Sequence, residues 1–209
     1  MDAAPQSGFM LDDHAIRNSL DRLAAERGFV AQAVHRHGYP TQRRHAPGFA
    51  TLMRILVGQQ VSTMADEGIW ARLGTALGEI TPQRVLAAED LPGLSRNKKR
   101  YARALAEAVT QGMLDLDTVS MLDDTAAVAQ ITQVTGFGPW SAQIYLMFGL
   151  GRPDVWPAGD LAVRAGIASI LQLDAVPDVA AADPLADRYR PHRSAVALLS
   201  WHVYNNPAL

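Results

Sequence analysis

The sequence contains no cysteine. That single absence excludes disulfides, thiolate zinc sites, Fe–S clusters and thiol nucleophiles together. Six histidines are present (His14, His35, His37, His45, His192, His202), but none forms the His-x-x-x-His pair that places two ligands on one helix face. No metal site is therefore expected. No apolar run approaches the roughly 20 residues that cross a bilayer, and Met1–Gly8 does not begin with a basic stretch followed by a long apolar one. The expectation is a soluble chain that stays inside the cell and makes no use of a membrane. An excess of positive charge is missing as well. Lys and Arg number 19 against 21 Asp and Glu, a formal net charge of −2. A polyanion would have to be held by local features rather than by a basic surface as a whole.

What is there is core-forming material. Of 209 residues, 48% are hydrophobic and only 19% charged, which fits a folded globular chain and not a disordered one. Alternating β patterns, internal repeats and low-complexity runs are lacking, and helical periodicity dominates. Phe49, Leu52, Met53, Leu56 and Val57 follow the i, i+3, i+4, i+7, i+8 pattern of one buried helix face. Tyr101, Leu105, Ala108 and Val109 do so in outline. Further helices are predicted over Asp12–Glu26, Ser62–Leu77, Pro82–Ala88, Asp123–Val134, Pro139–Leu150, Leu161–Leu171 and Arg193–Tyr204, each fenced by Gly, Pro or Asp. The Ala/Asp/Pro-rich stretch Asp174–Asp187 reads as beginning in a loop. The fold class is all-α, a helical bundle with short connections.

Two segments carry chemistry. In Val134-Thr135-Gly136-Phe137-Gly138-Pro139-Trp140-Ser141-Ala142, two glycines flank one apolar residue between helical patterns. Such a turn tolerates positive φ and lets a phosphate approach bare backbone, while Pro139 suits the first turn of the next helix. Backbone N–H groups there can hold an anion without any lysine. Phe137 would plug the core beneath. An ordinary glycine-capped connection between helices explains the same residues. Downstream stands Asp154-Val155-Trp156-Pro157-Ala158-Gly159-Asp160-Leu161-Ala162-Val163-Arg164. Asp160, before an apolar helix, reads locally as an N-cap. It reads equally as a carboxylate presented at a helix start.

Taken together, a Gly-x-Gly hairpin, its second helix and a Pro-x-x-Asp step into another helix resemble the helix-hairpin-helix DNA glycosylases. The chain is most similar to the branch that removes alkylated bases such as 3-methyladenine. Ile55-Leu56-Val57-Gly58-Gln59-Gln60-Val61-Ser62 and Arg190-Pro191-His192-Arg193-Ser194 with Trp201 extend the resemblance over roughly Phe49–Tyr204. It implies an all-α, two-lobed glycosylase fold spanning residues 1–209 as one domain, with the hairpin at about 131–150 and duplex DNA bound across the cleft. The larger members carry an extra N-terminal α/β domain for which this chain looks too short. The segment up to Pro47 is expected to be helical and to complete the second lobe.

The resemblance also assigns roles. Asp160 is the candidate catalytic carboxylate, stabilising positive charge on the deoxyribose as the N-glycosidic bond breaks. Trp140 stands where bifunctional relatives carry a Schiff-base lysine, which implies a monofunctional, water-using enzyme. Lys98 and Lys99, in a basic helix start, are read as solvated or phosphate-facing. Trp140, Trp201, Tyr145 and Ile144 are candidates for the base pocket, whose electron-rich faces suit a cationic alkylated base; core packing is the competing reading of each Trp. Trp156 and Trp70 are assigned to the core. Gly136, Phe137, Gly138, Gln60, Ser62 and Arg164 are candidates for DNA binding. Gln60 would fill the gap left by a flipped nucleotide, with helix capping or an interlobe hydrogen bond as the alternative for Gln59 and Gln60. Ser62 would cap the following helix. Arg193 and the Arg96–Arg103 cluster are further phosphate candidates, although ordinary surface charge is the favoured reading of any one of these arginines, Arg164 included. No cofactor is expected, and a monovalent cation on the hairpin carbonyls stays open. The expected partner is double-stranded DNA containing alkylated bases, met by a monomer in the cytoplasm, on the nucleoid of a bacterium or in the nucleus of a eukaryote. Two alternatives remain: a glycosylase for oxidised or mismatched bases, and a non-catalytic helix-hairpin-helix module that binds DNA.

Overall fold

The computed structural model describes residues 11–61 and 63–206, and among these there are helices and no strands. They divide into two compact units. The first takes the N-terminal segment as far as Arg44 and the C-terminal segment from Leu146; the second is His45–Tyr145.

The first unit contains α1 (Asp13–Glu26), α2 (Gly28–His37), α10 (Leu161–Leu171), α11 (Val179–Asp187) and α12 (Arg193–Asn205). Helix α1 starts where Asp12 accepts from Ala15 N–H and buries Ile16, Leu20 and Leu23 on one face. This is the stripe that its periodicity predicts. The hub is the α10–α12 pair, against which α2 also packs. At Gly166 in α10 an added Cβ would lie 2.0 Å from the Ser200 carbonyl oxygen of α12, so only a glycine lets these backbones meet. Val163, Ile167 and Ile170 of α10 and Val196, Leu199 and Val203 of α12 fill the surrounding core.

The second unit contains α3 (Phe49–Gly58), α4 (Thr63–Leu77), α5 (Pro82–Ala87), α6 (Arg96–Thr110), α7 (Leu116–Met121), α8 (Asp124–Thr132) and α9 (Pro139–Ile144). Helix α3 is its centre, packed against α4, α6 and α9. Seven of its ten residues are buried, among them Leu52, Met53, Leu56 and Val57. Nearly all-round apolarity is what a central helix requires.

Several expected boundaries are corrected. Residues 38–48 are irregular, so the N-terminal segment is helical only as far as His37. The stretch Asp174–Asp187 does open in a loop, as expected, and from Val179 it forms α11, nucleated by Asp178 accepting from Ala181 N–H and tolerating Pro184 within it. The short helix α7 escapes the periodicity argument, whereas α2 falls within the N-terminal segment expected to be helical. The helix expected over Pro139–Leu150 is α-helical only to Ile144 and continues as a π-helical turn, Tyr145–Gly149. Such a widened turn within a helix frequently marks a functional region.

Candidate active site

The hairpin lies in the second unit. Gly136 has φ of +94°, and a Cβ there would fall 2.2 Å from Tyr101 Cγ, so the turn needs glycine both for its backbone and for the ring against it. Gly138 differs from the expectation. Its φ is −94°, a value open to any residue, and a Cβ there would meet open space. The glycine leaves the start of α9 bare rather than relieving strain. Phe137 is 3% exposed, and its N–H donates to Val134 O at 3.0 Å.

The hairpin is tied to the end of α3. Gln59 Nε2 donates to Gly136 O at 3.0 Å and to Ser141 Oγ at 2.9 Å. Gln59 is thus a brace within the second unit, and one hairpin carbonyl already has a donor. Lys98 Nζ donates to Val57 O at 2.7 Å and Gln59 O at 2.6 Å, satisfying carbonyls that the end of α3 leaves without helical partners. The reading of Lys98 as a solvated or phosphate-facing amine is corrected accordingly. Lys99 does face outward, paired with Asp90. Held on this frame, Gln60 is exposed and adopts a left-handed φ of +55°. Beside it Val61 is 37% and Met64 83% exposed. Ser62 lies outside the described residues.

The carboxylate is in the first unit. Asp160 is the N-cap of α10, and its Oδ1 accepts from Ala162 N–H at 2.9 Å and Val163 N–H at 3.1 Å. A third donor reaches the same oxygen: Trp201 Nε1–H, at 3.1 Å. The capping and carboxylate-presenting readings of Asp160 are therefore compatible, because the cap fixes one oxygen and the helix start stabilises the negative charge. Trp201 is 6% exposed. Its ring lies 5.6 Å from that of Phe148 at a tilt of 49°, and the Arg43 guanidinium carbon is 5.7 Å from its centroid. Burial pushes the Arg43 pKa down while the Asp160 carboxylate opposes the fall; a guanidinium stays charged regardless. Asp160, Trp201, Phe148 and Arg43 thus form one cluster within the unit. Sequence reading missed Arg43 and Phe148. The basic run Gln42-Arg43-Arg44-His45 was the available signal for the first.

Other candidates land differently. Trp140 is half-buried at the start of α9. Tyr145 is fully buried and its hydroxyl accepts from Gly48 N–H at 3.1 Å; Ile144 is 5% exposed. Both take part in the packing of the second unit. Arg164 is half-buried and donates to Pro177 O at 2.8 Å, bracing the loop after α10 instead of offering a free cation. Arg193 clasps Asp154 through Nε at 2.8 Å and Nη2 at 3.0 Å. It holds the Asp154–Asp160 loop against α12, so its phosphate-contact reading is also corrected. Trp156 is buried at 3%, and Trp70 is half-buried beneath the Arg54 guanidinium.

No protein-family model matches the chain. Among curated proteins it is 26% identical over 162 residues to YfjP of Bacillus subtilis, a provisional DNA-3-methyladenine glycosylase, covering 72% of this chain and 56% of that protein. It is 31% identical over 137 residues to the DNA-3-methyladenine glycosylase of Saccharomyces cerevisiae, covering 59% and 46%. The chain thus spans about half the length of these first relatives. Among solved structures it superposes on the 3-methyladenine DNA glycosylase Mag1 of Schizosaccharomyces pombe, determined with abasic DNA, at a TM-score of 0.84 and 22% identity, covering 92% of this chain and 98% of that one. The chain thus shares the helical fold of a 3-methyladenine DNA glycosylase, and the curated proteins to which it is similar are DNA-3-methyladenine glycosylases.

Proposed function

We propose that the protein is a monofunctional DNA glycosylase that removes alkylated purines from duplex DNA, with Asp160 as its catalytic carboxylate. The observation that carries this reading is the anchoring of Asp160: two backbone N–H groups and the Trp201 indole converge on one oxygen. A carboxylate so fixed is preorganised for positive charge developing on a sugar.

In the proposed reaction the bond from C1′ to the base nitrogen breaks and its electron pair leaves with the base. The sugar becomes oxocarbenium-like, and the Asp160 carboxylate stabilises it. Water then adds to C1′ and gives up a proton, leaving an abasic site. Trp140 has no amine, so nothing at that position can form a Schiff base and cut the strand. The hairpin Gly136–Gly138, with its bare backbone, is assigned to a DNA phosphate, and the exposed Gln60 to the gap left by the flipped nucleotide.

The test is release of free base from methylated duplex DNA by the wild type and by Asp160→Asn, followed by alkali. The expected result is release by the wild type alone, with strand breaks only after alkali treatment. Binding of DNA without base release from methylated or oxidised duplexes would leave a DNA-binding module in which Asp160 serves only as a helix cap.

A further inference from the structure

Arg43 has no part in the chemistry above, yet its guanidinium lies 5.7 Å from the Trp201 ring centroid, and Trp201 donates to the candidate carboxylate. Arg43 keeps more than a third of its surface open to solvent in the irregular segment before α3, so it is not simply a core residue. Its charge is permanent. A ring face that already holds one cation repels a second one brought onto the same ring, because the quadrupole attraction is shared while the two like charges oppose each other.

We propose that Arg43 is a specificity-determining residue that shifts this site away from cationic alkylated purines and toward alkylated purines that stay neutral, such as the exocyclic adduct 1,N6-ethenoadenine. The proposal rests on the glycosylase reading of the site. Two effects of the same charge act in concert. A purine alkylated at N3 or N7 enters as a cation and meets Arg43 as a like charge. It leaves as a neutral molecule, because the electron pair of the broken bond cancels its charge, so Arg43 gives its departure no help. An ethenoadenine enters neutral and meets no repulsion. It retains the same electron pair as an anion, and a nearby guanidinium stabilises that anion as it forms.

The experiment measures single-turnover base release from two duplexes, one carrying 7-methylguanine and the other 1,N6-ethenoadenine, by the wild type, Arg43→Gln and Arg43→Lys. The readout is the ratio of the two rates within each protein, so a loss of folded material cancels. Arg43→Gln removes the charge and is expected to lower the ethenoadenine-to-methylguanine ratio at least tenfold. Arg43→Lys retains the charge and is expected to stay within about threefold of the wild type. A ratio unchanged or raised in Arg43→Gln, with base still released, overturns the proposal and leaves the glycosylase reading standing. A ratio that falls equally in both variants overturns it too, since shape and not charge would then be responsible. Release of neither base by the wild type overturns the glycosylase reading and this proposal with it.

Discussion

The indole N–H of Trp201 donates to Asp160 Oδ1 at 3.1 Å, linking the body of α12 to the first residue before α10. This bond depends on Gly166, which lets α10 approach the backbone at Ser200, the residue next to Trp201. Helix packing therefore sets where the carboxylate points, and Trp201 acts as a positioning residue whatever else its ring does. Trp201→Phe keeps an aromatic ring beside Phe148 and under Arg43 but removes the donor. A hydrogen bond to a charged group is worth about 1.5–3 kcal/mol, so base release at saturating enzyme is expected to slow about ten- to hundredfold. Affinity for an undamaged duplex should change little. Equal loss of rate and duplex affinity would mean that Trp201 contributes general binding instead.

The parts of this arrangement legible in the sequence are those set by local chemistry. The helix over Leu161–Leu171 matches its predicted bounds because Asp160 caps it and an apolar run fills it. Gly136 and Phe137 occupy the turn and plug that the Gly-x-Gly pattern implies. What escaped depends on partners far along the chain. Lys98 looks like any lysine in a basic helix start, and only folding brings its amine to carbonyls about forty residues earlier. Arg193 and Arg164 carry the formal charge of phosphate ligands, but Asp154 and Pro177 O take their guanidinium groups. Gln59 and Gln60 are identical neighbours with opposite fates. One turns in to brace the hairpin and the other turns out at positive φ, a difference of backbone geometry that residue type does not encode.

The hairpin makes a separable prediction. Gly136→Ala meets two obstacles, a φ of +94° and the Tyr101 ring 2.2 Å from the new methyl group. Overpacking of this kind typically costs about 1–3 kcal/mol, and the backbone conformation adds about 1 kcal/mol or more. Urea unfolding should show the loss. Truncating the ring in the double variant Gly136→Ala/Tyr101→Ala, compared with Tyr101→Ala alone, should recover the steric part and leave the backbone part. If the alanine costs the same with and without the ring, the close approach of Tyr101 is not what requires glycine at this position.

Acid stability tests the other end of the first unit. His192 caps the start of α12, and its Nδ1 is buried without a hydrogen-bond partner among the described residues. Burial pushes its pKa below the ordinary 6.5, the Arg22 guanidinium adds to the fall, and Asp154 opposes it. Because the folded value is depressed, the unfolded chain binds the proton first as the solution is acidified. The contribution of neutral His192 is thus intact above pH 6.5, is lost progressively as the pH falls from there to the folded value, and levels off below it. Burial also depresses His45 in the second unit, with Arg54 adding to the effect and Asp66 opposing it, so the wild type carries two such slopes. Replacing His192 with glutamine removes one of them. Between pH 7.5 and pH 5.5 the wild type is expected to lose more unfolding free energy than His192→Gln, as measured by urea titration across that range. Parallel losses would show that the imidazole titrates alike in the folded and unfolded chains, and that its buried nitrogen is reached by water in solution.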